Sequence, residues 1–430
     1  MFVLLVIAVS TSCKDANISE NKATVYIKKT GDNYQLIRND KPYFINGGAA
    51  HPDFLLELKL AGANTARIYD TINLQAALDK AHQLGLAVVA DIPLPKFKND
   101  PQFYENQVMF DLMEKRVRNT IVKYKDHPAL LYWNLGNELY YPYMYKRTKF
   151  HRNFNSLIDM VHEVDPNHPV STVTIGANRF RVLSIITRSP QLDFISFNSF
   201  GVLGQFSDNM KPIEKIWNGP HVITEWGING PWEAQRTLWD VPIEETSTKK
   251  AEQIKDRYNR YMKPLSENNS LGSFIFYWGF KYESTNTWFS LFGKDKTKTQ
   301  AAFEMNKIWT GHKRKYPGPK IDYILMNDKG ALDNIVLPPN IPAQARIAIL
   351  EESEEKYEYH WEIRSSLLDE NEGDQNSLPL KYISTKAKTI EFETPKKEGP
   401  YRLYLYATNG SDYIATANIP FYILDSKKYD

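Results

Sequence analysis

Two short apolar segments, each ending in a glutamate, constrain the fold of this chain more than any other feature. The first is 130–138 (LLYWNLGNE), in which a glycine interrupts the apolar run just before Asn137 and Glu138. The second is 221–227 (HVITEWG), which places Glu225 after a β-branched run. Both runs are too short for a helix and are typical of buried strands. Because carboxylates are seldom buried unless they are paired or chemically active, glutamates at two strand ends indicate a functional site.

Strand and helix patterns alternate between residues 43 and 312. The eight predicted strands are 43–47, 64–69, 86–92, 129–134, 169–174, 193–198, 221–225 and 273–278. Because helical patterns lie between these strands, the repeat predicts an α/β fold, a (β/α)8 TIM barrel. An open doubly wound sheet is the alternative, and it is disfavoured because no glycine-rich phosphate loop follows the first strand. In a barrel, the carboxyl ends of all strands meet at one face, so the two glutamates are expected to face each other there.

A second domain is predicted after a basic, Pro- and Gly-rich linker at 311–319. Beyond it, apolar and polar residues alternate strictly, as at 357–363. This pattern, broken by turns, predicts about seven short strands and a C-terminal immunoglobulin-like β-sandwich without a disulfide. The sandwich is interpreted as support for the barrel, with carbohydrate binding as the alternative. The predicted domains are 1–22 (signal and tether), 23–312 (barrel with an N-terminal hairpin) and 320–430 (sandwich).

The N-terminus resembles a bacterial lipoprotein signal. Residues 1–9 are apolar, small residues follow, and Cys13 is the single cysteine of the chain. The apolar run is too short to span a bilayer. The resemblance implies lipidation of Cys13 and a membrane partner through the lipid anchor, which would place the protein in the cell envelope, at the outer membrane or cell surface. It departs from the usual pattern in having no Lys or Arg at its start, and an ordinary cleaved signal with secretion is the alternative.

Composition excludes some partners. The net charge is +2, from 53 basic and 51 acidic residues, which gives no reason to expect a nucleic-acid partner. None of the nine His residues has metal-ligand spacing, so neither a metal nor another cofactor is expected. Core packing accounts for most of the 26 Tyr, 21 Phe and 9 Trp, and some of them are expected to stack on sugar rings.

The strand-end glutamates resemble clan A of the glycoside hydrolases, whose members are retaining enzymes with a TIM barrel. The resemblance lies in Asn137-Glu138 after the fourth strand and Glu225-Trp226-Gly227 after the seventh. His127-Pro128 and Phe276-Tyr277-Trp278 also resemble that clan. It implies that Glu138 is the general acid/base and Glu225 the nucleophile. Retaining pairs lie about 5–5.5 Å apart, on opposite sides of the anomeric carbon, with one carboxyl protonated and the other ionised.

The resemblance assigns further residues around this pair. Arg67, at the end of the second strand, is expected to hydrogen-bond the nucleophile, and a structural ion pair with Asp70 or Asp91 is the alternative. Asn137 is expected to contact the sugar 2-hydroxyl, and Asn198 to contact substrate. The clan usually places a Tyr near the nucleophile from the sixth strand, where this chain has only Phe197-Asn198-Ser199-Phe200, so Tyr69 or Tyr282 is expected to replace it.

Aromatic residues near the strand ends are expected to bind sugars. Trp278 is predicted to form the floor of the cleavage subsite. The loops after the fourth, seventh and eighth strands supply the others. These predicted substrate-binding residues are Tyr140, Trp226, Trp232 and Trp288.

The sequence therefore predicts a retaining hydrolase of β-linked glucan, a polysaccharide or oligosaccharide substrate. A lipoprotein barrel followed by a sandwich resembles the family 158 endo-β-1,3-glucanases, and the barrel also resembles those of family 2 and, around 61–69, family 72. Transglycosylation and exo action are alternatives within this chemistry. The alternatives from other classes are a non-catalytic surface glycan-binding protein and a purely structural envelope protein. The first predicts a lost strand-end glutamate and the second leaves both unexplained.

Overall fold

The computed structural model describes residues 24–143, 148–350, 357–366, 381–385, 387–410 and 412–425. Cys13 and the predicted signal therefore lie outside the described residues. Within those ranges, no helix combines the length and the apolar character that crossing a membrane would require.

An N-terminal hairpin covers one end of the barrel. It comprises β1 (Val25–Thr30), β2 (Asn33–Arg38) and the short β3 (Lys41–Pro42), paired in that order. The amide of Val25 donates to the carbonyl of Asn167 (3.1 Å), and the amide of Tyr34 donates to the side chain of Asn269 (3.0 Å). Because both asparagines precede barrel strands, the hairpin lies at the amino ends of the strands, opposite the predicted site.

Eight parallel strands close into a barrel in chain order. They are almost entirely buried, as parallel strands covered by helices on the outside must be. The predicted TIM barrel is therefore confirmed. The strands are β4 (Ile45–Ala50), β5 (Thr65–Ile68), β6 (Ala87–Ile92), β7 (Leu130–Asn137), β8 (Val170–Ile175), β9 (Phe194–Asn198), β10 (His221–Trp226) and β11 (Ser270–Trp278).

Helices surround the barrel. Several begin where the sequence supplies an N-cap, such as Asn106 before α3 and Thr246 before α7, because their side chains accept hydrogen bonds from free amides of the first turn. A π-helical turn at Tyr258–Met262 joins α7 to α8. The helices are α1 (Leu55–Leu60), α2 (Leu74–Gln83), α3 (Gln107–Tyr124), α4 (Lys149–Val164), α5 (Arg179–Arg188), α6 (Phe206–Met210), α7 (Ser247–Arg257), α8 (Lys263–Leu265) and α9 (Gln300–Thr310).

The C-terminal part forms two sheets around a separate core. One sheet has the order β12-β14-β17 and the other β13-β19-β18-β15-β16, and their pairings are antiparallel except β13 with β19. The predicted C-terminal β-sandwich is confirmed. Its strands are β12 (Ile321–Met326), β13 (Val336–Leu337), β14 (Pro342–Ile349), β15 (Glu358–Ser365), β16 (Lys381–Thr385), β17 (Thr389–Glu393), β18 (Gly399–Thr408) and β19 (Ile414–Ile423).

A buried charge cluster joins the sandwich to the barrel. The carboxylate of Glu244 accepts hydrogen bonds from Lys250, from Thr285 (2.6 Å) and Thr287 (2.8 Å), and from Asn418 of β19 (2.6 Å). Burial would raise the pKa of Glu244, but Lys250 and Arg402 outweigh it and lower that pKa below its ordinary value. Because the two threonines lie in the loop after β11, the cluster also fixes a loop at the carboxyl end of the barrel.

Gly272 in β11 provides a test of the barrel's packing. Its φ is +129°, and a Cβ there would overlap the backbone of Ile45 on β4. We expect Gly272→Ala to lower the free energy of unfolding by roughly 3 kcal/mol or more, because backbone strain and overpacking act together. Chemical denaturation measures this. The control is Gly410→Ala, whose φ of +70° also requires glycine but which faces open space, so it should cost only about 1 kcal/mol. Equal effects of the two substitutions would contradict the packing argument.

Candidate active site

A buried arginine organises the carboxyl end of the barrel. Arg67, the third residue of β5, is completely buried. Its Nη2 donates to Asp91 on β6 (2.6 Å) and to Asn137 on β7 (3.0 Å). Its Nη1 donates to Glu225 on β10 (2.9 Å) and approaches the side chain of Asn198 on β9 (3.4 Å). One guanidinium thus connects five strands.

Arg67 makes both of the interactions that the sequence left as alternatives, a hydrogen bond to Glu225 and a structural ion pair with Asp91. Asp70 instead accepts from the backbone amide of Ile72 (2.8 Å). Burial alone would lower the pKa of Arg67, but Asp91, Tyr69 and Glu225 outweigh it and raise that pKa well above its ordinary value. Because its side chain is inaccessible, Arg67 positions other residues and does not reach a substrate.

Glu225 is buried and receives two strong donors. Its Oε1 accepts from Arg67 and from the hydroxyl of Tyr69, each at 2.9 Å. Burial raises the pKa of Glu225 to about 7, Arg67 opposes that rise, the charge of Glu138 adds to it, and Tyr69 lowers it. Tyr69 therefore takes the place of the tyrosine that is missing from the sixth strand. Tyr282 does not, because it contacts Phe280 and Arg364 of the sandwich.

Glu138 lies in a more open environment. It follows β7, where Gly136 at φ +75° allows the strand to end sharply, and a side chain at that glycine would overlap Leu139. The side chain of Glu138 is 22% exposed. Its Oε1 accepts from Asn198 (2.9 Å), and its Oε2 forms an ion pair with Lys96 (3.2 Å).

Asn198 connects the surroundings of the two glutamates. Its Nδ2 donates to Glu138 and to Asn137 (3.1 Å), and its Oδ1 accepts from Thr224 (3.0 Å). Arg67, which also approaches Oδ1, is bonded to Glu225. The structure therefore brings the predicted residues Glu138, Glu225, Arg67, Asn137 and Asn198 into one hydrogen-bonded network.

Two of the predicted aromatic residues lie near this network. Tyr140 follows Glu138 closely in the chain, and its ring lies beside Lys98 and Arg181. Trp232 is 55% exposed, and its ring packs against Phe200 with centroids 5.7 Å apart. Phe200 in turn packs against Phe276 (5.5 Å). Through Phe200 and Phe276, the Trp232 ring is connected to Tyr69, which hydrogen-bonds Glu225.

The other three tryptophans do not reach the opening, which corrects the sequence interpretation. Trp226 is buried, and its ring faces outward from β10 onto Tyr258, with centroids 6.2 Å apart. Trp278 packs outside the barrel against Phe292 (5.0 Å) and Trp309 of α9 (5.3 Å), so it is not the floor of the site. Trp288 is buried, and its indole N–H donates to the carbonyl of residue 229 (2.9 Å).

Phe276 occupies the position expected of Trp278. Its ring lies beside Tyr69, with centroids 6.4 Å apart, and the Nζ of Lys281 lies 4.8 Å from its centroid. Sequence reasoning also missed Lys96, which comes from a loop with no recognisable pattern. Asp91 was identified only as an alternative partner of Arg67. Asp91 lies near the end of the otherwise apolar strand 86–92, which is the same signal that identified the two glutamates.

The arrangement can perform acid–base and nucleophilic chemistry with its own side chains. It contains a buried carboxylate held by cationic and hydroxyl donors, and a second carboxylate that can exchange protons with solvent. In the described part of the chain, no group of three or more His, Cys, Asp or Glu side chains is arranged to ligate a metal.

Residues 51–312 match the family described as glycosyl hydrolases family 2, TIM barrel domain. This match covers more than half of the chain. The chain belongs to glycosyl hydrolase family 2. The expected membership of clan A is thereby confirmed for the barrel, in the family that the sequence suggested only as a weaker likeness. A comparison with curated proteins gives no match.

Solved structures similar to this family 2 chain include several β-glucuronidases. The Bacteroides uniformis enzyme is 16% identical with a TM-score of 0.51, over 94% of this chain and 48% of that one. The Dictyoglomus thermophilum enzyme is 16% identical with a TM-score of 0.52, over 68% and 54%. The Ruminococcus gnavus enzyme is 17% identical with a TM-score of 0.51, over 67% and 53%. These likenesses concern the fold, and the family 2 chain spans about half the length of these structures.

The contact between Tyr69 and Glu225 predicts a pH effect. If Glu225 must be ionised, kcat/KM should fall as the pH drops through about 7, the pKa of that group. The Tyr69 hydroxyl stabilises the charged form, so Tyr69→Phe should raise the pKa of Glu225. We expect the acid limb of the pH profile of kcat/KM to move to higher pH by roughly 0.5–1 unit.

Tyr43→Phe is the matched control for this measurement. The hydroxyl of Tyr43 donates to the carbonyl of Asn64 (2.9 Å), which precedes β5 at the other end of the barrel. This variant also loses a hydroxyl, but it should leave the acid limb in place. An unmoved acid limb in Tyr69→Phe would refute the role assigned to its hydroxyl.

Proposed function

We propose that this chain is a retaining hydrolase of β-linked glycans. The observation that carries the proposal is the pair of strand-end glutamates in one hydrogen-bonded network, one buried against Arg67 and Tyr69 and the other partly exposed. Two carboxyl groups in different environments suit two different roles: the buried one is held in place by two donors, and the partly exposed one can reach a leaving group and water. Membership of family 2 supports the same reaction class.

Glu225 is the nucleophile in this proposal. Its carboxylate attacks the anomeric carbon and forms a glycosyl-enzyme, while Glu138 donates a proton to the departing glycosidic oxygen. Glu138 then removes a proton from a water molecule, which attacks the same carbon and releases Glu225. Arg67 and Tyr69 hold Glu225 by a single oxygen, Oε1, which leaves Oε2 for the attack.

Asn137 is proposed to bind the sugar 2-hydroxyl. Its Oδ1 already accepts from Arg67 (3.0 Å) and Asn198 (3.1 Å), so these contacts fix the orientation of the amide. The Nδ2 is then the atom that can donate to the substrate. A hydrogen bond to the 2-hydroxyl strengthens in the transition state and so contributes to the rate.

The substrate proposed is a β-glucan, cleaved internally at β-1,3 linkages, on the strength of the resemblance to family 158. Trp232, which is exposed, and Tyr140, which follows Glu138 in the chain, are proposed to bind sugar units. β-Glucuronides are the second substrate class to test, because several structures of similar fold are β-glucuronidases. Transfer to a sugar instead of water is an alternative outcome of the same chemistry, and exo action is another. Glycan binding without catalysis is the alternative from another class.

Product analysis tests this proposal. We expect residues 23–430 to release oligosaccharides from one member of a panel of β-glucans, mannans, galactans and β-glucuronides. Glu138→Gln should reduce the rate by roughly 10²–10⁴-fold because it removes the proton donor. Glu225→Gln should abolish turnover. NMR of the first product should detect retention of the β-configuration, which distinguishes this mechanism from inversion.

Glu304→Gln is the matched control, because Glu304 is a buried carboxylate on α9 that pairs with Lys307. It should leave the rate unchanged. Longer chains among the products would indicate transglycosylation. Binding of one glycan by the wild type and both variants, without cleavage, would replace the hydrolase proposal with the glycan-binding alternative.

We also propose that Cys13 anchors the protein to a membrane of the cell envelope. The support is the apolar run and small residues that precede Cys13. Full-length protein expressed in a bacterium should partition into the membrane fraction, whereas Cys13→Ser should not, because it has no thiol to acylate. Ser12→Ala, which keeps the small residue, serves as the control and should remain in the membrane. Membrane association of Cys13→Ser would refute the lipid anchor.

A further inference from the structure

Three cationic side chains lie beside Glu138 or its near neighbour Tyr140 on one side of the opening. The Nζ of Lys96 lies 3.2 Å from Glu138. The Nζ of Lys98 lies 4.9 Å, and the guanidinium carbon of Arg181 5.8 Å, from the ring centroid of Tyr140. These cations come from segments that follow the adjacent strands β6 and β8, and Glu138 and Tyr140 follow β7 between them. Positive charge is therefore concentrated on one sector of the barrel mouth.

Arg181 is the most informative of these cations. It lies in the first turn of α5, and its Nε is buried with no hydrogen-bond partner among the described residues. Burial lowers the pKa of Arg181, while Tyr143, Tyr140 and Glu138 oppose this, so the guanidinium lies within electrostatic reach of Glu138. A buried donor without a partner is costly, and bidentate binding of an oxyanion would satisfy it.

The nucleophile side of the opening differs. There Arg67 is buried and bonded to Glu225 and Asp91, and Lys281 is paired with Glu283 at 2.7 Å. On the Glu138 side, the described residues offer Lys98 and Arg181 no carboxylate within salt-bridge distance, and Lys96 has only Glu138. Glu138, as the proposed acid, protonates the leaving oxygen, so the groups around it face the sugar that departs.

We propose that the leaving-group side of this site selects a sugar that carries an anionic substituent, a carboxylate or a sulfate ester, bound by Arg181 with Lys96 and Lys98. This inference rests on the proposed hydrolase function, because Glu138 defines the leaving-group side. Arg181 supplies the fixed pair of donors, and the two lysines supply mobile charges at the rim. On this inference, the substrate of the proposed function is a glycan with acidic units in place of a neutral glucan.

Matched trisaccharides provide the test. We would measure the affinity of the Glu225→Gln protein, which cannot turn over, for β-linked gluco-, manno- and galacto-trisaccharides. Each trisaccharide is prepared in three forms, in which carbon 6 of the reducing-end sugar carries a hydroxyl, is oxidised to a carboxylate, or carries a sulfate ester. At least one series should bind its anionic form tenfold or more tightly than its neutral form. This preference should weaken as salt concentration rises, and comparison of the carboxylate with the sulfate identifies the natural substituent.

Variants assign the preference to residues. Adding Arg181→Gln should reduce the ratio of anionic to neutral affinity to below threefold. Lys98→Gln, a substitution at an exposed side chain, should reduce it partly. Arg118→Gln is the matched control, because it removes the same charge from α3 at a partly exposed surface pair with Glu163, and the ratio should not change.

Three outcomes overturn the inference: no series prefers an anion, the preference survives Arg181→Gln and Lys98→Gln, or Arg118→Gln abolishes it equally. The hydrolase proposal fails separately. If the wild type cleaves no member of any series while the anionic forms still bind more tightly through Arg181, catalysis is refuted and the anion site stands. If neutral and anionic forms are cleaved and bound alike, the anion site is refuted and catalysis stands.

Discussion

The ion pairs of Arg67 are the interaction on which this structure depends. A guanidinium with no exposure to water would be strongly destabilising if its charge were not compensated. Asp91 and Glu225 provide that compensation, and Asn137 and Asn198 contact the remaining donors. Because these residues lie on five different strands, the same bonds that neutralise Arg67 also fix the relative positions of the strand ends. The stability of the barrel and the geometry of the site are therefore not separable properties in this protein.

The two glutamates receive different roles from their surroundings, although they are the same residue type at equivalent strand ends. Glu225 is held inside the barrel, where burial and the arginine act on its charge in opposite directions. Glu138 follows the last residue of β7, and the positive φ of Gly136 (75°) and of Glu138 itself (55°) turns the backbone there, leaving the Glu138 side chain partly exposed. The side-chain amide of Asn198 donates to Glu138 and accepts from Thr224, the residue before Glu225, and so fixes the position of one glutamate relative to the other. Backbone direction at two strand ends thus separates the proposed nucleophile from the proposed acid.

The sequence predicted the barrel and the two facing glutamates because both depend on local patterns: short buried runs, and carboxylates at their ends. The other members of the network, Arg67, Asn137 and Asn198, came from the resemblance to clan A. The sequence interpretation failed where the result depended on whether a side chain points toward the site or away from it. β10 has an irregular register between Ile223 and Trp226, so strand alternation did not show that Trp226 faces away from the site. β11 has a similar irregularity between Ile275 and Trp278, which changes which residues face the site. Lys96 and Arg181 reach the opening from segments outside the strands, and no periodicity in the chain indicates where such side chains point.

The burial of Glu244 beneath the sandwich has a consequence for modularity. The sequence divides cleanly at its linker, which suggests two exchangeable parts, yet a barrel released at that point would lose Asn418 and Arg402 from around a buried carboxylate. Thr285 and Thr287, bound to the same carboxylate, belong to the loop that also carries Lys281. Replacing the sandwich with another domain would therefore require redesign of this cluster. A change in the sandwich residues that contact Glu244 would also alter the contacts that hold the loop after β11. The sandwich therefore contributes directly to the structure of the barrel.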